Sequence, residues 1–313
     1  MTFPWKPISH PFSEAPDAHN IIVVGSGYGG GVAAARLARA GQAVTVLERG
    51  REIVPGKYPR NLEDGISEFQ ITLSQTGTKL GKADGLYDLR INNDMNALVG
   101  CGVGGTSLIN ANVAIEPDDR VFANWPKRFR KKKKKPVLLA EYFDRARHML
   151  GSGPYPAGRS LAKLTALEKI AKGMDAPFKR PDINVSFQDG HNAAGVMQKA
   201  CTDCGDCVSG CNYGAKNTVL MNYLPYAERF GAMIYNGAEV YRLTQQDGLW
   251  QVHTRTMSGE SLRVLTAKTV ILAAGTLGTN EILLRSRSAD LEFSDHLGQH
   301  FSGNVDVWAF GYN

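Results

Sequence analysis

Residues 21–41 read IIVVGSGYGGGVAAARLARAG, and this stretch decides the fold. Ile21–Val24 is a β-branched apolar run that suits a buried strand, and the Ala/Leu/Arg-rich segment after the glycines has the composition of a helix stopping at Gly41. Between them Gly25, Gly27 and Gly30 fall in the G-x-G-x-x-G frame. The first glycine permits a tight strand-to-helix turn, the second lets the backbone approach a pyrophosphate, and the third lets helix and strand pack closely. The start of the helix adds N–H donors and a dipole that favours an anion. A second strand, Ala43–Leu47, ends at Glu48, 23 positions after Gly25. An acid about 20 residues beyond the glycines is placed to accept from ribose hydroxyls. The bland alternative is a glycine-rich turn in an ordinary α/β sheet. The full order of strand, glycine frame, helix, strand and acid favours a dinucleotide site instead. The Glu48 carboxylate would repel a 2′-phosphate, which leaves FAD or NAD rather than NADP.

The chain then departs from the repeated β-α-β units of a plain nicotinamide domain. A turn-rich stretch over 50–100 leads to a second glycine cluster, GCGVGGTSLIN at Gly100–Asn110, whose backbone can lie close against a flat ligand. Alternating segments at 238–244, 250–257 and 262–266, split by QQDG and SGES, predict a β-meander. Thr269–Ala274 reads as a buried strand ending at Gly275, with a helix following through residues 281–287. These features argue for FAD. The predicted fold class is α/β: a Rossmann-like, doubly wound FAD/NAD(P)-binding sheet with a β-meander.

The composition is that of a folded protein, with 43% apolar and 21% charged residues in 313. No apolar run approaches the ~20 residues of a membrane helix, so no transmembrane segment is expected. The N-terminus lacks the basic start and apolar stretch of a secretory signal, which predicts a cytoplasmic protein. The net charge of +6 is local: residues 127–135 hold eight positive charges, and subtracting those eight from +6 leaves −2. A run of this kind reads as a solvated loop, and without aromatic or groove signals no nucleic-acid partner is expected.

Four of the five cysteines form the run Cys201-x2-Cys204-x2-Cys207-x3-Cys211, which has the spacing of a bacterial ferredoxin cluster loop. Soft thiolate ligands select Fe–S clusters or zinc, and reduced structural or redox-sensing thiols are the third option. Asn212 stands where ferredoxins carry proline, and there is a single run. Cys211 could therefore serve elsewhere, with Cys101 a conceivable substitute or simply a buried small residue.

Five stretches carry a family resemblance. They are GSGYGGGVAAARLARAG with Glu48, GCGVGGTSLINANVAIEP, GAEVYRL, VILAAGTLGTNEILLRSR and LGQHFSGNVD. Spread over nearly the whole chain, they are similar to the glucose–methanol–choline (GMC) flavoprotein oxidoreductases, and most similar to the cholesterol oxidase group. The resemblance implies an FAD-dependent enzyme that moves a hydride from a sterol-like or other bulky alcohol to flavin N5. It implies Tyr28 and Gly29 at the pyrophosphate, Glu48 at the ribose, and Val240 at adenine through its backbone. Gly104, Gly105, Thr106, Asn110, Ala111 and Val113 would line the isoalloxazine. Thr106 and Ala111 replace the group's glycines, and Val113 replaces its methionine.

The segment NYGAKNTVLMNYL after the cysteines resembles cholesterol-oxidase-like bacterial proteins that carry the same cysteines. Some sugar dehydrogenases of the superfamily hold an Fe–S cluster in a cysteine-rich insertion. Iron would imply a dehydrogenase passing electrons to a protein or quinone, and its absence leaves oxygen as acceptor. A sugar or polyol dehydrogenase, and a non-catalytic flavin-binding or redox-sensing protein, are the alternatives.

The family's catalytic histidine, with its asparagine or glutamate, lies in the C-terminal half, which has no counterpart before Asn313. His10, His19, His148, His191, His253, His296 and His300 read as surface or packing residues, so no catalytic residue is assigned. The predicted organisation is a first FAD-binding part at 1–115, then an inserted helical and loop region with the cysteines at 116–230. The meander and the return to the FAD-binding domain occupy 231–313, and the substrate domain is absent. The chain reads as an N-terminal part, expected to be inactive alone and to bind FAD weakly or aggregate.

Overall fold

The computed structural model describes residues 5–126 and 139–303. The basic run 127–135 and the last three residues of LGQHFSGNVD lie outside the described residues. The chain opens with β1 (His10–Pro11), β2 (Ala18–Val24), α1 (Tyr28–Arg39) and β3 (Val44–Leu47). Residues 62–114 follow as α2 (Leu62–Ser67), β4 (Phe69–Leu73), β5 (Thr78–Gly81), β6 (Tyr87–Ile91), β7 (Ala97–Gly100) and β8 (Val113–Ala114). Next come α3 (Ala140–Leu150), α4 (Ala162–Gly173), β9 (Asp182–Ile183), β10 (Gly190–His191) and β11 (Met197–Gln198). The last elements are α5 (Tyr223–Arg229), β12 (Met233–Asn236), β13 (Glu239–Gln246), β14 (Leu249–Arg255), β15 (Ser261–Leu272) and α6 (Gly275–Ser286).

Among the described residues, seven strands form the main sheet in the order β1-β12-β3-β2-β15-β14-β13. The first five run parallel, and β14 and β13 complete an antiparallel meander on β15. Parallel strands need both faces covered, and β2 shows how this chain does it. Ile21 and Val23 enter one core with Ala34 and Ala35 of α1 and with Tyr223 and Leu224 of α5. Ile22 and Val24, one residue out of phase, enter a separate core with Leu243, Val252, Leu265 and Ile282. This two-sided burial is the doubly wound arrangement. Val219, Leu220 and Leu224, which precede residue 231, already belong to the α1 side.

Two features differ from the expectation. The segments predicted at 262–266 and 269–274 are one strand, because Ser261–Ala267 pairs with β14 while Thr266–Leu272 pairs with β2. No glycine or proline interrupts it, so nothing ends the strand between its two partnerships. The turn-rich stretch 50–100 contains a four-stranded sheet, β5-β4-β6-β7. Its short strands are obscured in the sequence by Gly77, Gly81 and Gly85, which punctuate them closely.

The two cores give a direct test. Ile22→Ala, at a side chain with no solvent exposure, should cost about 2–5 kcal/mol in urea unfolding. Leu80→Ala, on the open strand β5, should stay within about 0.5 kcal/mol of the parent.

Candidate functional site

At the carboxyl ends of β2 and β3 the sheet opens into a cleft of about 660 Å³, within the range of small-molecule sites. Its walls include Gly25, Gly27, Tyr28, Gly29, Glu48, Gly105, Thr106, Val240 and Gly275, which the sequence nominated. The glycines do different work. Gly25 takes φ +96°, and a Cβ there would meet the Ala273 carbonyl oxygen at 2.5 Å. A Cβ on Gly30 would overlap the Gly25 carbonyl oxygen, so the strand–helix contact itself demands glycine there. At Gly27 an added Cβ would find nothing nearer than the Gly105 Cα at 3.9 Å. No protein atom explains that glycine; its open side fits the close approach of a ligand. The starts of α1 and α6 both reach this cleft, and no side chain caps either. Gly275 turns the chain into α6 with φ +72°.

Glu48 is buried and held from three directions. Its Oε2 accepts from the Ser26 amide at 3.1 Å and the Ser26 hydroxyl at 2.6 Å, and its Oε1 accepts from the Gly50 amide at 2.9 Å. The Ser26 hydroxyl also accepts from the Gly104 amide at 2.9 Å. The two glycine clusters are thus joined through one serine, which sequence reading passed over although it sits inside the frame. Val240 is on β13 beside a bulge, where the register with β14 shifts between Val240 and Arg242. Bulges of this kind re-aim backbone groups next to binding sites.

The cleft also holds a charge network that sequence spacing could not reveal, since it joins the loop after β3 to strand β6 and helix α6. Arg49 and Arg90 both reach the buried Asp88, at 2.6 and 3.1 Å, and Arg90 pairs with Glu281 on α6. Burial pushes the Asp88 carboxyl up, but the two guanidiniums outweigh it and hold the group below the usual carboxylate range. None of the seven histidines lines the cleft.

The remaining nominated residues are less uniform. Gly104, at φ +115°, is buried behind the lining. Asn110 Nδ2 donates to the Tyr28 hydroxyl at 2.8 Å, bringing two of the expected contacts together. Ala111 and Val113 are exposed and outside the cleft wall.

Cys201, Cys204, Cys207 and Cys211 line a separate small cavity, and none is in a disulfide. Cys101 is buried elsewhere, beside Arg49 and Gln70, and burial pushes its thiol up to about 11. Asn212, in place of the ferredoxin proline, straps the loop to Tyr58: its Oδ1 accepts from the Tyr58 amide and its Nδ2 donates to the Tyr58 carbonyl. The buried Lys216, unmarked in the sequence, donates to the carbonyls of Leu108 at 3.0 Å, Asn110 at 2.7 Å and Cys207 at 2.8 Å. Burial lowers its ammonium pKa to about 8.

Residues 20–302 match the sequence profile of the GMC oxidoreductase family. The chain belongs to that family. It is 30% identical to a cholesterol oxidase of Mycobacterium tuberculosis, over 87% of this chain and 48% of the relative. With a cholesterol oxidase of Acinetobacter baumannii the identity is 29%, over 92% and 54%. A long-chain-alcohol oxidase of Arabidopsis thaliana is 26% identical, over 90% of this chain and 36% of its own length. The chain spans about half the length of the cholesterol oxidases it matches. Among solved structures, a fungal aryl-alcohol oxidase superposes with TM-score 0.50 at 18% identity, over 87% of this chain and 48% of that one. A formate oxidase of Aspergillus oryzae gives 0.51 at 18%, over the same shares. At such identity the superpositions speak for the fold, which is the doubly wound one described above.

The contrast between the two GMC-frame glycines is measurable. Gly27→Ala should keep the parent's circular dichroism and lose no more than about 0.5 kcal/mol of stability. Gly30→Ala, which drives a methyl into the backbone, should fail to reach the native spectrum.

Proposed function

We propose that this GMC-family chain binds FAD for the oxidation of a bulky apolar alcohol, sterol-like in size. The observation that carries the reading is the cleft itself. Two uncapped helix starts, the open face of Gly27 and the buried Glu48 surround one space, and no protein atom accounts for Gly27. When bound, FAD supplies the hydride acceptor for the alcohol carbon.

The chain's own residues divide the binding. Glu48 and the Val240 backbone receive the adenosine end. Gly27, Tyr28 and Gly29 present the α1 N–H groups to the pyrophosphate, whose charge the helix dipole favours. Gly104, Gly105, Thr106, Asn110, Ala111 and Val113 belong to the segment proposed at the flavin ring, with Asn110 fixed by Tyr28. The sterol-like substrate is supported by the cholesterol oxidases among the relatives, and the long-chain-alcohol oxidase supports an apolar alcohol more broadly.

A second reading, a dehydrogenase in which electrons leave by a cluster on Cys201, Cys204, Cys207 and Cys211 rather than pass to oxygen, draws on one observation. The four thiols share a cavity pinned by Lys216 to the Leu108–Asn110 segment.

Flavin fluorescence titration tests the site: FAD should bind in competition with ADP, and Gly27→Ala should weaken it at least about tenfold, roughly 1.4 kcal/mol. Anaerobic mixing of the FAD-loaded protein with a 3β-hydroxysterol, a long-chain alcohol or a hexose then separates the readings. Bleaching by the first two supports the proposal and bleaching by hexose the sugar dehydrogenase; bleaching by none, once the chain is extended with the C-terminal half of a cholesterol oxidase relative, supports a flavin-binding protein without catalysis.

A further inference from the structure

The cavity lined by the four cysteines has a volume of about 20 Å³, room for one water-sized molecule. Among the described residues no three thiol, imidazole or carboxylate groups close on one point as a metal ion requires. All four thiols are free. Their surroundings differ. Cys201 is held: its thiol donates to the Asp203 carboxylate at 3.8 Å, its sulfur accepts from the Asp203 amide at 3.4 Å, and its carbonyl accepts from Arg159 at 2.9 Å. Cys211 sits between Gly210, where a Cβ would run into the Tyr58 ring, and Asn212, which straps the chain to Tyr58.

Cys204 is the exposed member of the four. The next residue, Gly205, turns at φ +82° in open space, for a Cβ there would find nothing within 4 Å. Cys207 follows in the single helical turn 206–209, half-buried and within electrostatic reach of both Cys204 and Lys216. Burial pushes its thiol up, while a hydrogen bond from Asn112 and the Lys216 ammonium act against that rise. Cys204-Gly205-Asp206-Cys207 is thus a C-x2-C pair on a backbone free to bend. The first thiol meets solvent and the second waits behind it, the arrangement of an oxidant-sensing cysteine with its resolving partner.

We propose that Cys204 and Cys207 form a peroxide-responsive dithiol whose closure to a disulfide loosens the Lys216 pin on the Leu108–Asn110 segment. The oxidant is hydrogen peroxide. The Cys204 sulfur bonds one peroxide oxygen as the O–O bond breaks, and the other oxygen leaves as water with the Cys204 proton. The Cys207 sulfur then displaces the remaining oxygen from the Cys204 sulfenic acid. An S–S bond forms, the S–O bond breaks, and a second water leaves with the Cys207 proton. Peroxide gains two electrons and each sulfur gives up one. Drawing Cys207 toward Cys204 pulls away a carbonyl that accepts from Lys216 at 2.8 Å. The same ammonium holds the carbonyls of Leu108 at 3.0 Å and Asn110 at 2.7 Å, so that segment shifts with it. The disulfide stands against a cluster on the same sulfurs. Only its meaning for the flavin ring rests on the FAD reading, and its test needs neither flavin nor substrate.

The 313-residue chain is treated with hydrogen peroxide, unfolded, labelled with N-ethylmaleimide and weighed by mass spectrometry. It should lose two of the five labels that its cysteines take when reduced, and dithiothreitol should restore them. Peptide mapping should place the link between Cys204 and Cys207. Cys204→Ser, at an exposed position, should keep every label it starts with, and Cys207→Ser should leave a Cys204 sulfenic acid that dimedone traps. Amide hydrogen exchange over residues 107–113 should quicken at least about threefold on oxidation of the parent and stay unchanged in Cys204→Ser. No loss of labels, a link between Cys201 and Cys204, a link between two chains, or thiols blocked by metal before peroxide is added overturns the dithiol. Unchanged exchange in the fully oxidised parent overturns the coupling through Lys216.

Discussion

The buried brace between Ser26 and Glu48 is the interaction on which the cleft depends. A carboxylate with so little exposure is tolerable only when its lone pairs are met. Here the Ser26 amide and hydroxyl and the Gly50 amide meet them. Because the same hydroxyl accepts from Gly104, the glycine-rich turn after β2, the end of β3 and the second glycine cluster form one hydrogen-bonded unit. The close approach of Gly105 to Gly27 follows from that brace. Removing any one partner would strand a buried polar group and loosen two loops at once.

The sequence made the Rossmann half legible because its signals are local. Ile21–Val24, the glycine frame and Glu48 sit in one continuous stretch whose chemistry and spacing point the same way. The meander was readable for the same reason, through its turns. The four-stranded sheet within 50–100 was not, since short strands punctuated by glycines look like loops until they find partners. The charge network of Arg49, Asp88, Arg90 and Glu281 joins residues far apart in the chain, and nothing short-range announces it. Lys216 was hidden for a different reason. A lysine is by default a surface residue, and only the fold shows three carbonyls closing over its ammonium.

Lys216 also explains why the cysteine loop and the second glycine cluster cannot be considered apart. It takes one carbonyl from the former and two from the latter, while Asn212 fastens the far end of the loop to Tyr58. Gly210 completes this join, because a Cβ there would run into the Tyr58 ring. The loop is thereby part of the architecture that frames the cleft rather than an appendage to it.

The unbroken strand β15 has a mechanical consequence. A single twelve-residue ribbon serves the meander with its first half and the parallel sheet with its second, so the two regions lack a hinge between them. Slippage by one residue at the meander would turn Thr269–Leu272 inside out and exchange the residues offered to the two cores. Val240, on the outermost strand of the meander, is consequently held in a fixed relation to Gly25, and the distance between the two ends of the cleft behaves as a ruler rather than a spring.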